Sequence, residues 1–324
     1  MRSLALTFIL LSLGLTLGCE VLTNADLTGV HCEQEGVIGA PACPPNEACQ
    51  NGVCVGCSTI ETCGDGLDND CNGAPDDGCA EAGPPNDAGD DGEAGSNLDD
   101  RTKGSLVVLY TFLEGSGTVV KDTSGVGTPL DLIIESENAV HWPPGGGLSI
   151  DTPTIIASPA AASKISDVFQ NANGITVEAW IQPDGLGQNG PARIVSLSLD
   201  RLSRNFTLGQ ENSELDFRLR TTSTSLNGEP SVRSGLATLT TDLTHVVYVR
   251  NSSGHARFVI NGVDTGTGEA PGEFSNWDPT YRLALANEFN EDRSWRGVMY
   301  LVAVYARALT QNEVATNYAV GVPR

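Results

Sequence analysis

The chain is short of positive charge: 18 lysines and arginines stand against 41 aspartates and glutamates, a formal net charge of −23. Nucleic-acid binding needs a basic footprint for the phosphates, so that class is excluded. Anionic headgroups are repelled as well. Cysteine is missing from residues 80–324. After Leu17 no apolar run is long enough to cross a bilayer, which takes about 20 residues. His31, His141, His245 and His255 have no metal-ligand spacing, and no Gly-x-Ser-x-Gly elbow is present. Zinc-hydrolase and serine-hydrolase chemistry therefore have no motif to rest on. No helix follows Gly145-Gly146-Gly147, so that loop does not read as a phosphate cradle.

What is present begins with Arg2 and the apolar run Leu4–Leu17, broken by Thr7, Ser12, Gly14 and Thr16. The run suits the h-region of a secretory signal. It ends in Leu15-Thr16-Leu17-Gly18-Cys19. This ending resembles the lipobox of bacterial lipoproteins, with Thr16 where that motif usually has Leu. The resemblance implies a signal over residues 1–18 and an acylated Cys19. Cysteine parity agrees: nine in all, and eight without Cys19. These eight are Cys32, Cys43, Cys49, Cys54, Cys57, Cys63, Cys71 and Cys79. Such clustering in an exported chain reads as a disulfide framework, whose pairing spacing alone does not choose. The expected location is the bacterial outer membrane or cell surface, held there by lipid.

Residues 19–79 form the first module, too small and too polar to build much core without crosslinks or a metal. The stretch Cys63-Gly64-Asp65-Gly66-Leu67-Asp68-Asn69-Asp70-Cys71-Asn72-Gly73-Ala74-Pro75-Asp76-Asp77-Gly78-Cys79 resembles cysteine-rich, metal-binding modules of bacterial surface proteins. Set against a calcium loop, Asp68, Asp70 and Asn72 take positions 1, 3 and 5, Gly73 the sharp turn and Asp76 position 9, with Asp65 just upstream. Cys79 stands where a bidentate glutamate belongs, so calcium is the expected cofactor at an affinity of roughly 10⁻⁴–10⁻³ M. Zinc is disfavoured, since oxidised thiols do not ligate it. Residues 80–103, rich in Ala, Gly, Pro, Asp and Glu, read as a disordered acidic linker.

Residues 104–324 read as one mainly β domain. Strand patterns recur at Leu106–Phe112, Ile175–Ile181, Ala192–Leu199, Glu214–Thr221, Tyr281–Ala286 and Gly297–Tyr305. His245–Arg250 and Ala256–Ile260 read as a hairpin across Asn251–Gly254, and Asn261-Gly262 as a second tight turn. Helical turns are expected near Ala160–Phe169 and over Leu309–Tyr318, the latter with Thr310 and Glu313 as a capping box. Many short strands between turns mean a sandwich.

Four pieces then carry a family resemblance. They are Tyr110–Gly117 followed by Asp122-Thr123-Ser124-Gly125, Thr176-Val177-Glu178-Ala179-Trp180-Ile181, Phe258-Val259-Ile260-Asn261-Gly262, and Trp295-Arg296-Gly297 through Thr310. Together they resemble the laminin-G-like domains of the concanavalin A-like lectin and glucanase superfamily. The resemblance implies an antiparallel two-sheet jelly roll and no single function. Relatives place structural calcium at the position of Asp122; a turn-capping role is the alternative.

The superfamily includes glucanases, whose strand pattern is Glu-x-Asp-x-(x)-Glu. Here Glu214-Leu215-Asp216 is followed by Arg218 and Leu219, so the second glutamate that retaining chemistry needs is missing. No catalytic residue is expected. Trp142, Trp277 and Trp295 lie near loops and are the candidate ligand platforms, with core packing as their alternative. The reading is a surface-exposed or periplasmic lipoprotein whose jelly roll recognises a glycan or protein partner without catalysis. A diverged polysaccharide hydrolase and a structural envelope component are the alternatives.

Overall fold

The computed structural model describes residues 47–50, 53–56, 97–188, 190–289 and 293–323. The chain divides into two units, Met1–Asp91 and Gly92–Arg324. In the first, β1 (Glu47–Gln50) and β2 (Val53–Gly56) pair antiparallel, with Cys49 opposite Cys54 in register. Cys19, the other six cysteines and the loop from Asp65 to Asp76 lie outside the described residues.

The second unit opens with a 3-10 turn, Asn97–Asp100. Its first strands are short: β3 (Leu106–Tyr110), β4 (Val119–Val120), β5 (Leu132–Ile134), β6 (Val140–His141), β7 (Leu148–Ile150) and β8 (Ile156–Ala157). After α1 (Ser163–Phe169) come the long strands β9 (Ile175–Pro183), β10 (Ala192–Asp200), β11 (Ser203–Glu211) and β12 (Glu214–Leu219). The chain continues through β13 (Val232–Arg233), β14 (Thr244–Arg250), β15 (His255–Ile260) and β16 (Val263–Glu269). It closes with β17 (Arg282–Leu285), β18 (Gly297–Tyr305) and α2 (Gln311–Val320).

These strands make an antiparallel jelly-roll sandwich. The first sheet runs β13-β12-β11-β10-β17-β8-β5-β4 and the second β16-β15-β14-β9-β18-β7-β6, with β3 also paired to β18. Period-two alternation explains the core. Val177, Ala179 and Ile181 of β9 point inward, as do Leu197, Phe206, Phe217 and Leu283 of the first sheet. The Asn261-Gly262 turn has φ of 50° and 79°, the left-handed pair that a two-residue hairpin loop requires. At one edge β16 comes against β13. A Cβ on Gly266 would strike the Arg233 carbonyl, and one on Gly268 would meet Val232 at 2.9 Å, so glycine lets the two sheets approach there.

The outer face of the second sheet is covered. Leu106, Leu109, Trp180, Val247, Val249, Leu301 and Tyr305 form a second apolar cluster with Leu309 and Val314. Helix α2 supplies Val314. Its capping box is complete: Thr310 Oγ1 accepts from the Glu313 N–H, and Glu313 accepts from the Thr310 N–H. Inside this layer Glu178 is fully buried. Its Oε1 meets Arg101 and accepts from His245 Nε2 at 2.8 Å, while Oε2 accepts from Asn317 Nδ2 at 2.7 Å. Arg101 Nη1 also donates to the Gly321 carbonyl at 2.7 Å. The acidic stretch 80–103 is thus not linker to its end: Arg101 and its neighbours are bolted to the sandwich, because a buried carboxylate demands a cation.

Candidate functional site

The outer face of the first sheet is built differently. Register aligns Ile133, Ala157, Ala284, Ser196, Thr207 and Arg218 in one row across six strands. A flanking row carries Arg193, Gly209, Asp216 and Arg233, and the other flank Arg282, Ser198 and Arg204. Neither helix lies on this face. Helix α1 puts Ile165 and Phe169 into the central core, and α2 sits on the other sheet.

Glu288, from the loop after β17, is the hub of the polar side chains. It is 2 % exposed. Its Oε2 accepts from Arg193 Nε at 3.0 Å and lies 3.8 Å from Arg204 Nη1; its Oε1 accepts from Ser198 Oγ. Ser196 and Thr207 share a hydrogen bond at 2.7 Å, and Arg204 Nη1 donates to Thr207 Oγ1 at 3.0 Å. Burial, followed by the nearby Arg193 charge, pushes the Arg204 guanidinium down to about 10; Glu288 acts against both. Arg204 therefore stays charged at neutral pH. Two buried atoms, Arg204 Nε and Asp216 Oδ1, have no protein partner.

Beside this network lies an open pocket of about 680 Å³, the size range of small-molecule sites. Ile133, Ile155, Ala157 and Pro159 give it an apolar wall; Glu135, Asn287, Glu288, Arg282 and Phe289 give it a mixed one. Arg282 is steadied at its Nε by the Ser158 carbonyl, 2.7 Å away, and lies 4.6 Å from the centroid of the Phe289 ring. Ile133 is 42 % exposed, so part of the wall faces solvent. The arrangement offers C–H surface next to hydrogen-bonding groups, which is what a hydroxyl-rich ring needs.

The structure separates the three candidate tryptophans. Trp277 is core: its ring stacks on Phe169 at 4.8 Å and neighbours Phe274 at 5.1 Å. Its Nε1 donates to the Arg220 carbonyl at 2.7 Å. Trp295 is also core, fully buried, with Nε1 donating to Gln210 Oε1 at 2.8 Å. Both rings are buried, so neither presents a face on which a ligand could stack. Trp142 is half-buried and donates to the Gly117 carbonyl at 3.2 Å, away from the pocket lining.

Asp122 is not an open oxygen cage either. Its carboxylate accepts from the N–H groups of Leu109, Ser124 and Leu130, and pairs with Lys164 Nζ at 2.5 Å. Burial works to raise its pKa, but these donors, Lys164 first, hold it below the ordinary range. The side chain fastens a turn, and calcium there would have to displace a lysine. No cluster of three or more metal-ligating side chains exists among the described residues. Each carboxylate of the glucanase-like strand has an arginine: Glu214 with Arg233 at 3.2 Å, Asp216 with Arg218 at 3.3 Å. Asp216 is 1 % exposed rather than solvent-facing.

In the sequence Asn287-Glu288 and Asp292 stand out only as a polar loop cluster without a decisive signature, and Arg193, Arg204 and Arg282 were not singled out. Ser203–Glu211 itself shows no alternation, because Arg204, Asn205, Thr207 and Gln210 are polar yet buried. That run of polar residues inside a β-rich region was the available signal.

Residues 157–315 match the laminin-G-type profile described as Concanavalin A-like lectin/glucanases superfamily. No curated protein matches the chain. Among solved structures the chain is similar to the binding domain of botulinum neurotoxin serotype D/C VPI 5993, at 14 % identity and a TM-score of 0.50 over 66 % of this chain and 52 % of that one. It is also similar to a mutant of HCR D/C VPI 5995, at 15 % identity and a TM-score of 0.50 over 66 % and 52 %. The chain thus spans about half the length of these toxin domains. Domain 4 of AbnA, a GH43 extracellular arabinanase from Geobacillus stearothermophilus, solved with arabinotriose, aligns at 18 % identity and a TM-score of 0.47 over 66 % and 98 %. At such identities the likeness concerns the fold.

Proposed function

We propose that the concanavalin A-like lectin/glucanases domain of this chain is a non-catalytic recognition module that binds a glycan in the pocket on the outer face of its first sheet. The observation that carries this is the contrast between the two outer faces. One carries α2, whose Val314 packs into a second apolar cluster there. The other keeps a locked polar network walling an open, partly apolar pocket. Catalysis is not part of the reading, since Glu214, Asp216 and Glu288 each have an arginine counter-ion.

The test is a glycan array with the full chain, in millimolar calcium and again in chelator. Selective binding in both buffers is expected, because the described residues hold no metal-ligating cluster. Ala157, on the pocket floor and nearly buried, is the place to block it. Ala157→Phe is expected to abolish binding, with stability lowered by about 1–3 kcal/mol through overpacking and a melt that stays cooperative. Silence on every glycan, or binding untouched by that blockade, would sink the proposal, and a protein partner would become the reading to pursue.

The same proposal includes export and lipid anchoring through Cys19, motivated by the ending Leu15–Cys19 and the odd cysteine count. Metabolic labelling with palmitate is expected to mark the chain and to leave Cys19→Ala unlabelled. Equal labelling of the two would remove the anchor from the scheme.

A further inference from the structure

We infer that the pocket selects an anionic glycan, and that Arg282 holds its carboxylate or sulfate group. This rests on the glycan reading above and sharpens it. Arginines on the strands of this face otherwise come with carboxylates. Arg193 and Arg204 share Glu288, Arg218 has Asp216 and Glu229, and Arg233 has Glu214. Arg282 makes no ion pair among the described residues, although it belongs to a chain with 41 acidic residues. Glu135 lines the same pocket without pairing to it, and the charge of Glu288 already answers two other guanidinium groups.

The side chain is nevertheless held. The Ser158 carbonyl takes Nε at 2.7 Å, and the Phe289 ring lies 4.6 Å below the guanidinium carbon. These two contacts orient the guanidinium and leave both terminal nitrogens without a protein acceptor among the described residues, at the wall of a cavity of about 680 Å³. A planar fork of this kind presents parallel N–H donors that match two oxygens of one carboxylate or sulfate. Because its orientation is set beforehand, less conformational entropy is lost on binding. The apolar strip from Ile133 to Pro159 would receive the C–H face of the sugar ring that carries the acid.

Calorimetry on the full chain tests this with three probes in about 0.15 M salt, where surface charge is well screened: polygalacturonate, dextran sulfate and neutral dextran. Binding to at least one anionic polymer and not to dextran is expected, and the stronger of the two says whether a uronate or a sulfate ester is the natural group. Arg282→Gln should weaken that binding about tenfold, the worth of a charge-assisted hydrogen bond. Arg282→Lys should recover only part of it, since a point charge lacks the fork. Dextran bound as tightly as the polyanions, with Arg282→Gln silent and Ala157→Phe inactive, overturns anion selection and leaves the glycan site standing. Polyanion binding that ignores both substitutions and vanishes in high salt overturns the assignment to this pocket. No binding to any probe, together with a silent glycan array, removes the site itself.

Discussion

Arg101→Met is expected to destabilise the sandwich by about 3–5 kcal/mol in urea melts at pH 7, the usual loss when one partner of a buried ion pair is removed. Glu178 would remain fully buried, with His245 and Asn317 as its remaining strong contacts. The double variant Arg101→Met with Glu178→Gln should recover most of the loss, because a neutral amide no longer demands a cation. The acid limb gives an independent reading. Burial works to raise the Glu178 pKa, but Arg101, followed by His245, outweighs it and holds the carboxyl below its ordinary 4.5. A depressed folded pKa contributes stability above the unfolded value and loses it as pH falls through the folded one. Stability of the parent should therefore hold down to about pH 4.5 and then decline. Without Arg101 the largest cause of the lowering is gone, so acid should cost the variant less and narrow the gap between parent and variant. A double variant as unstable as the single one would show that Arg101 acts through packing alone.

Trp277→Ala is expected to cost about 3–5 kcal/mol, the range for removing a large aromatic from a core. The ring is 3 % exposed and sits among Phe169, Phe206 and Phe274. Its loss would open a cavity and strand the Arg220 carbonyl that its N–H satisfies. Denaturation curves give the number, and glycan binding measured below the melt separates core from platform. Affinity should be unchanged once the folded fraction is accounted for. A stable Trp277→Ala protein with lost binding would return this side chain to the ligand site.

Much of the fold was legible because its strands alternate. Leu215, Phe217 and Leu219 against charged neighbours mark β12, and the Asn261-Gly262 turn marks the end of β15. The capping box of Thr310 and Glu313 marked the start of α2 at its N-cap, and the helix runs to Val320, two residues past the expected Tyr318. The short strands β4 to β8 and β13 offer too few residues for alternation to show, and two longer strands were not legible either. β11 buries polar side chains on both faces, so its pattern contains no contrast to read. β16 is rich in glycine because it must let β13 approach, which removes the side chains that would have signalled a strand. The candidate site was the least legible part. Glu288 and Arg193 lie 95 positions apart and meet through pairing of β10 with β17. Trp295 looked like a loop residue from its neighbours, yet its partner Gln210 lies 85 positions away. Local sequence carries no record of such distant encounters.

The seal over the second sheet also decides how this domain can be strung into longer chains. Arg101 near the entry and Gly321 near the exit are joined by one hydrogen bond of 2.7 Å, so the two ends of the sandwich are neighbours. Both lie on the outer side of one sheet, while the pocket opens on the outer side of the other. A partner fused at either end would emerge from the back of the domain and leave the pocket uncovered. The same closeness makes the domain a good guest. It could be spliced into a host loop, or its ends tied and the chain reopened elsewhere, without stretching either sheet.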